Sequence, residues 1–359
     1  MEKIKKGMTE KGIDVFLIGP SSNLFYLTGY ALEGDERLLL LVVPRDTGPF
    51  MLANLLYKEQ VKTLPVGDSV FWKDGEDPFG LLKAEITKQK IKITRAALEP
   101  SIPALFSLPI SRIFPVAGFD LGSSLTDPLR QYKDESELDL IRQASRKSDE
   151  ALAAVIDKGG YWIGKTEAEF GAELSGELRR RGVVSFGATV AVGANAALPH
   201  YGIGNTVIEK GKCLLVDFWG RLEGYYTDCT RTFHFGAPDR EFENVHAIVL
   251  EAQEAAQQKA RVGNTLGDVD LAARSVIEKH GYGENFTHRT GHGLGIDIHE
   301  GEPAGRGVNI PLAPGMVFSV EPGIYIPGRF GVRIENLAAI GKKDTEILHA
   351  YPRELKMIK

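Results

Sequence analysis

A chain of 359 residues exceeds what one hydrophobic core comfortably serves, so two domains are expected. Its composition, 43% hydrophobic and 25% charged with a net charge of -5, is that of an ordinary soluble globular protein. Charges of both signs are mixed along the chain, which argues against a nucleic-acid-binding or membrane-surface protein, and no apolar run approaches the ~20 residues of a membrane span.

The opening MEKIKKGMTEKG reads as a short amphipathic helix ending at Gly12, without the apolar core and cleavage site of a signal peptide. IDVFLIG reads as a buried strand, SSNLFYLTGY as a turn followed by a short returning strand, and RLLLLVVP as a third strand stopped by Pro44. NLLYKEQVKTL and DPFGLLKAEITKQK read as helices, SVFWKD and ITRAALEP as strands, and PALFSLPI as a short helix. Such alternation predicts a small mixed α/β domain over residues 1–129. DLGSSLTDPLRQYKDES has the composition of a linker.

A second domain is predicted over 130–359. Asp134 with Glu137 forms a capping box that opens a long helix ending near Gly159-Gly160, and Thr166 with Glu169 opens another. Strands follow near 188–192. EFENVHAIVLEAQEAAQQKARVG and LGDVDLAARSVIEKHG supply two further helices, and the remainder, 205–235 and 285–350, is rich in strands. The expected fold class is therefore α+β, the smaller mixed domain coming first.

Three stretches carry acids or histidines where the pattern calls for apolar residues. In KCLLVDFWGRLEGYYTDCTRTFHF, a hairpin turning around Leu222–Glu223 sets Asp217 and Asp228 side by side on one face. Like charges directly opposite are destabilising, so one would be exposed or paired with Arg231 unless the two share a ligand. Cys229 falls on the opposite face and, like Cys213, reads as a buried thiol. Two cysteines make no disulfide framework, and a cytoplasmic protein is the expectation. HRTGHGLGIDIHE gathers His288, His292 and His299 among Gly291, Gly293 and Gly295, so it reads as a loop that brings backbone close to a ligand, not as a zinc-binding helix. MVFSVEPGIYIPGRFGVRIEN reads as two strands joined by a Pro/Gly turn, with Glu321 and Glu335 in apolar surroundings.

Four carboxylates in one pocket cannot all stay ionised without compensation. Two divalent cations would supply it, and oxygen ligands with one imidazole suit Mn²⁺, Co²⁺, Fe²⁺ or Zn²⁺. A two-metal site of that kind clamps a substrate oxygen and generates hydroxide at neutral pH, which is hydrolytic chemistry.

Taken in order, ANAALPHY, DFWGRLEGYYTDCTRTF, HRTGHGLGIDIHE and EPGIYIPGRFGVRIEN resemble the metal-dependent pita-bread peptidases, and NLFYLTGY resembles the amino-terminal domain of their proline-specific branch. The resemblance implies a creatinase-type domain at 1–129 and a pita-bread (creatinase/aminopeptidase-like) metallopeptidase domain at 130–359. It implies two metal ions per subunit on Asp217, Asp228, His292, Glu321 and Glu335, with Asp228 and Glu335 bridging. It further implies Glu321 as general base and His299, with His200, as stabilisers of the oxyanion. His288, Tyr225, Thr230, Tyr325 and Arg333 fall at supporting positions, Arg333 on the strand face of Glu335. The implied substrate is a peptide with proline at its second position, with an Xaa-Pro dipeptide preferred over the longer substrates of an Xaa-Pro aminopeptidase. A homodimer is implied as well. A methionine aminopeptidase would not need so large an amino-terminal domain. A creatine amidinohydrolase or a non-catalytic binding protein of this fold would have lost metal ligands that are all present here.

Overall fold

In the computed structural model, residues 1–115 and 118–359 are described, and the chain divides into two compact units, Met1–Leu129 and Arg130–Lys359. Six strands build the first unit: β1 (Val15–Ile18), β2 (Leu40–Pro44), β3 (Phe50–Asn54), β4 (Asp68–Trp72), β5 (Arg95–Leu98) and β6 (Gly118–Leu121). They form one mixed sheet in the order β4-β3-β2-β1-β5-β6. Alternate residues serve opposite faces. Val15 and Leu17 join one core with Leu82, Ile86, Phe106 and Ile110, while Phe16 and Ile18 join another with Ile4, Met8 and Leu24. A sheet covered on both faces requires the unbroken apolar runs VFLI and LLVV.

Two segments of this unit differ from expectation. Ser22–Thr28 is a helix, not a returning strand; Ser21 Oγ accepts from Leu24 N at its start, and Gly29 closes it in the left-handed region at φ 73°. The polar stretch read as a linker contains the end of β6 and the helix Ser123–Arg130.

The second unit contains β7 (Val184–Val192), β8 (Cys213–Leu222), β9 (Tyr225–Phe235), β10 (Val317–Val320), β11 (Gly323–Ile326), β12 (Phe330–Arg333), β13 (Asn336–Ile340), β14 (Thr345–Ile347) and β15 (Met357–Ile358). One sheet runs β15-β9-β8-β7, a second β10-β13-β14, and β11 pairs with β12. Helices Glu135–Ile156 and Glu167–Arg180 pack on the first sheet through Leu152, Val155, Phe170 and Leu174, which meet Val190, Leu214, Val216 and Phe218. Helices Arg240–Lys259 and Leu266–Lys279 cover the second set through Val245, Val249, Val269 and Ala273. Among the described residues no helix is long and apolar enough to cross a membrane.

Helix starts are where sequence and structure agree best. Asp134 and Glu137, and Thr166 and Glu169, exchange reciprocal capping bonds; Glu169 N donates to Thr166 Oγ1 at 3.2 Å and Thr166 N to Glu169 Oε2 at 2.8 Å. Each box satisfies amide donors that the helix itself leaves open. Thr166→Ala should therefore cost about 1 kcal/mol, read as a lower urea midpoint at unchanged slope. An unchanged midpoint would show that the cap carries no stability.

Candidate active site

The hairpin β8–β9 turns on Glu223 and Gly224, whose φ angles of 48° and 93° are those of a tight turn that favours glycine at its second position. This lies one residue beyond the expected turn and alters the partners. Asp217 faces Thr230, and Asp228 faces Trp219. The two aspartates still share a face, but diagonally, which relieves the direct opposition of like charges. Arg231 projects from the other face of β9 and pairs with neither.

Met316–Asn336 spans three short strands and the start of a fourth, β13, where two were expected. β10 pairs with β13 and β11 with β12 in a single antiparallel register, interrupted between them. Glu321 and Glu335 stand opposite one another at that interruption. Burying two carboxylates in an unbroken ladder would put them in apolar layers; the break turns them into a cavity instead. The loop 288–300 crosses beside it. A Cβ on Gly291 would lie 1.8 Å from the Ser319 carbonyl oxygen, and one on Gly293 would lie 2.2 Å from that of Glu300. The glycines thus serve backbone-to-backbone approach, where contact with a ligand was expected.

The result is a cavity of about 530 Å³ lined by Asp217, Asp228, His292, Glu321 and Glu335, with His200, His288, His299 and Arg333 around them. His292 Nε2 lies 3.5 Å from Asp228 Oδ2 and 3.4 Å from Glu321 Oε1. Ligand atoms of Asp228, His292 and Glu335 all fall within 4.8 Å of one another. Arg333 donates to Asp217 Oδ2 at 2.6 Å, to the Tyr325 hydroxyl at 2.8 Å and to Thr230 Oγ1 at 3.2 Å. It reaches Glu335 through Thr230, which donates to Glu335 Oε2 at 2.7 Å. His288 Nε2 lies 2.8 Å from the Tyr325 hydroxyl. Tyr225 does not line the cavity. It stands three residues from Asp228, hence on the opposite strand face, and donates to Glu137 Oε1 at 2.7 Å.

Sequence reasoning passed over Ser319, Thr189, Pro199, Trp219, Arg289 and Ile298. Ser319 Oγ accepts from His292 N at 3.0 Å and donates to Glu321 Oε1 at 3.1 Å, tying the histidine loop to the glutamate. Its place two residues before Glu321, as the polar member of VFSV, was the available signal. The other five line the cavity; Trp219, two residues after Asp217, shares its face.

Electrostatics set the character of the cavity. Burial and the charges of Asp217 and Glu321 push the Asp228 carboxyl well up, and burial with Asp228 and Glu321 does the same to Glu335. For Glu321 burial acts upward too, but His292, His288, Arg333 and the Ser319 hydroxyl outweigh it and hold the carboxyl below its ordinary value. Partial burial, with His292 and Arg289, pushes the His299 imidazole down to about 4, so it is neutral at neutral pH. Asp217 Oδ1, Asp228 Oδ1 and Glu335 Oε1 are buried without a hydrogen-bond partner. Four acids face one buried guanidinium, that of Arg333, and three of their oxygens lack partners among the described residues. A divalent cation bound by carboxylate oxygens and one imidazole fits that deficit.

The His299 loop has its own anchor. Glu300 is buried and pairs with Lys133 at 2.7 Å and with Arg130, and its Oε2 accepts from Ile296 N and Asp297 N. Burial raises the Glu300 carboxyl, but Lys133 and Arg130 more than offset this and hold it below its ordinary value. Its stabilisation is therefore fully present above the unfolded pKa and is lost as pH falls through the lower folded value. Glu300→Gln, which removes the carboxylate that Lys133 pairs with and leaves Arg130 paired with Asp297, should cost about 3–5 kcal/mol at pH 7 and flatten the acid limb of the stability profile. Identical urea midpoints for variant and wild type at pH 7 would contradict this.

Residues 139–342, more than half of the chain, match metallopeptidase family M24, and residues 1–131 match the creatinase/prolidase N-terminal domain. An Xaa-Pro dipeptidase of Lactobacillus delbrueckii subsp. lactis is 32% identical, across 100% of this chain and 98% of its own. The prolidase of Thermococcus sibiricus superposes with a TM-score of 0.95 at 34% identity, covering 99% of this chain and 97% of that one. A dipeptidase of Pyrococcus horikoshii gives a TM-score of 0.92 at 36% identity, covering 99% of each.

Proposed function

This chain belongs to metallopeptidase family M24 and is a peptidase, and from that premise we propose that it hydrolyses the bond preceding proline in Xaa-Pro dipeptides with two divalent metal ions. The observation that carries the metal is the cluster of buried carboxylate oxygens left without partners around His292. Asp217, Asp228, His292, Glu321 and Glu335 are the proposed ligands, and residues 1–129 and 130–359 the proposed domains. When bound, such ions polarise a carbonyl and make water a nucleophile at neutral pH.

The chain's own residues divide the remaining work. Glu321, held ionised by His292, His288 and Arg333, takes the proton of the attacking water on a carboxylate oxygen. It returns that proton to the departing proline nitrogen. His299 is neutral, so a ring N–H can donate to the oxyanion without carrying a competing charge into the acid pocket. His200 stands on the wall and contributes a second imidazole. Thr230 and Arg333 hold Glu335 and Asp217 in place, and Ser319 does so for Glu321.

Two features bear on the substrate, the first on its proline and the second on its length. Trp219, Pro199 and Ile298 give the cavity an apolar wall suited to a pyrrolidine ring. Arg289 is exposed at the lining and has no carboxylate partner among the described residues. It can take the free carboxylate that a dipeptide carries immediately after the scissile bond and that a longer peptide carries further away.

Glu321→Gln should abolish hydrolysis in metal-replete protein; near-normal turnover would overturn the assignment of the base. Arg289→Ala should raise KM for an Xaa-Pro dipeptide about 10- to 100-fold with little change in kcat, the loss of one charged hydrogen bond, and leave an Xaa-Pro amide unaffected. Wild-type protein that cleaves an Xaa-Pro-Xaa tripeptide but not the dipeptide is instead an aminopeptidase.

A further inference from the structure

Asp228 and Glu335 meet in the cavity although they come from different sheets, β9 and the approach to β13. No regular ladder joins those strands at this point. Glu335 N donates to Thr230 O at 3.1 Å, and the Glu335 carbonyl accepts from Arg231 Nη1. Arg231 is 1% exposed and lies behind the cavity. Its other donors reach Thr230 O at 2.9 Å, Asn336 Oδ1 at 2.8 Å, Tyr351 O at 2.7 Å and Pro352 O at 3.0 Å. These acceptors are neutral. A guanidinium buried among carbonyls is expensive, and here its planar fork ties three chain segments together at one point.

The third of those segments is itself clamped. Asp149, on the helix Glu135–Ile156, accepts from His349 Nδ1 at 2.8 Å, Ala350 N at 2.6 Å and Tyr351 N at 3.1 Å. His349 Nε2 lies 3.2 Å from Thr227 Oγ1, which lies 2.9 Å from Ser145 Oγ. Asp149, Cys229 and His349 are close enough to hold an ion. Yet both carboxylate oxygens and both ring nitrogens already have partners, so the cluster works as a hydrogen-bonded clamp.

We propose that Arg231, backed by His349–Pro352, is a positioning residue for the metal centre. It grips the Glu335 carbonyl, sets that carboxylate against Asp228, and so raises affinity for divalent cations without touching cation or substrate. The proposal rests on the metal-centre reading above. Lysine would keep the charge, but one nitrogen cannot reach Glu335, Asn336 and the 351–352 carbonyls together.

The test is titration of metal-free protein with Co²⁺, read by calorimetry and by the visible absorption band. Wild-type protein should bind Co²⁺; if it does not, the metal-centre reading falls and this proposal falls with it. Arg231→Lys should raise the dissociation constant about 10- to 100-fold and change the band. Asp149→Asn should act in the same direction, less strongly. A lowered melting temperature with wild-type Co²⁺ affinity and band in Arg231→Lys would mark a merely structural residue and overturn the proposal. Should Arg231→Lys not fold, unchanged Co²⁺ binding by folded Asp149→Asn would overturn it equally.

Discussion

Four carboxylates share one cavity with a single buried guanidinium, that of Arg333, and most of the second unit can be understood as the framework that this imbalance requires. In a low-dielectric interior like charges repel strongly and unpaired oxygens cost free energy. Left alone, the cavity would shed charge by protonation, which is the direction in which Asp228 and Glu335 are driven. Arg333 offsets part of the excess through Asp217 and, at 4.0 Å, Glu321. The rest is a standing demand for cations, and the fold has to keep mutually repelling groups close until it is met.

The framework meets that requirement with main chain more than with side chains. β10–β13 and β11–β12 keep one register around a gap, and the gap is where both glutamates sit. Gly291 and Gly293 let the histidine loop lie directly on the carbonyls of Ser319 and Glu300. Glu300, Lys133 and Arg130 hold the far end of that loop, while Arg231 and Asp149 hold the strands from behind. The groups that would carry out chemistry are thus set by neighbours that never face the cavity, as precision at a reactive centre demands.

Much of this was legible in the sequence. The acids and histidines stood out because they interrupt apolar runs, and all five proposed ligands line one cavity. Two of the long helices were readable because capping boxes announce them. What escaped detection had weak local signals. Ser22–Thr28 is a seven-residue helix, too short for its apolar residues to show a period, and only its ends, the Ser21 cap and the closing Gly29, distinguish it from a strand. The helix Ser123–Arg130 is polar, with a proline inside it, and composition alone resembles a linker. The hairpin partners slipped because the turn was centred one residue early, where no glycine sits; positive φ at Gly224 decides the register. Tyr225 followed from resemblance, but period-two alternation from Asp228 places it on the other face. Arg231 looked like a partner for an aspartate, and only tertiary structure reveals that it binds carbonyls from three segments.

The central claim, that the excess of buried acid is a cation site, is tested most directly by calorimetric titration of metal-free protein with Mn²⁺ near pH 7 in buffers of different ionisation enthalpy. The account predicts two equivalents bound per chain, with proton release that grows when the titration is repeated at lower pH, since burial drives Asp228 and Glu335 toward the protonated form. Absence of binding would contradict it, and binding without proton release would contradict the electrostatic description of the cavity.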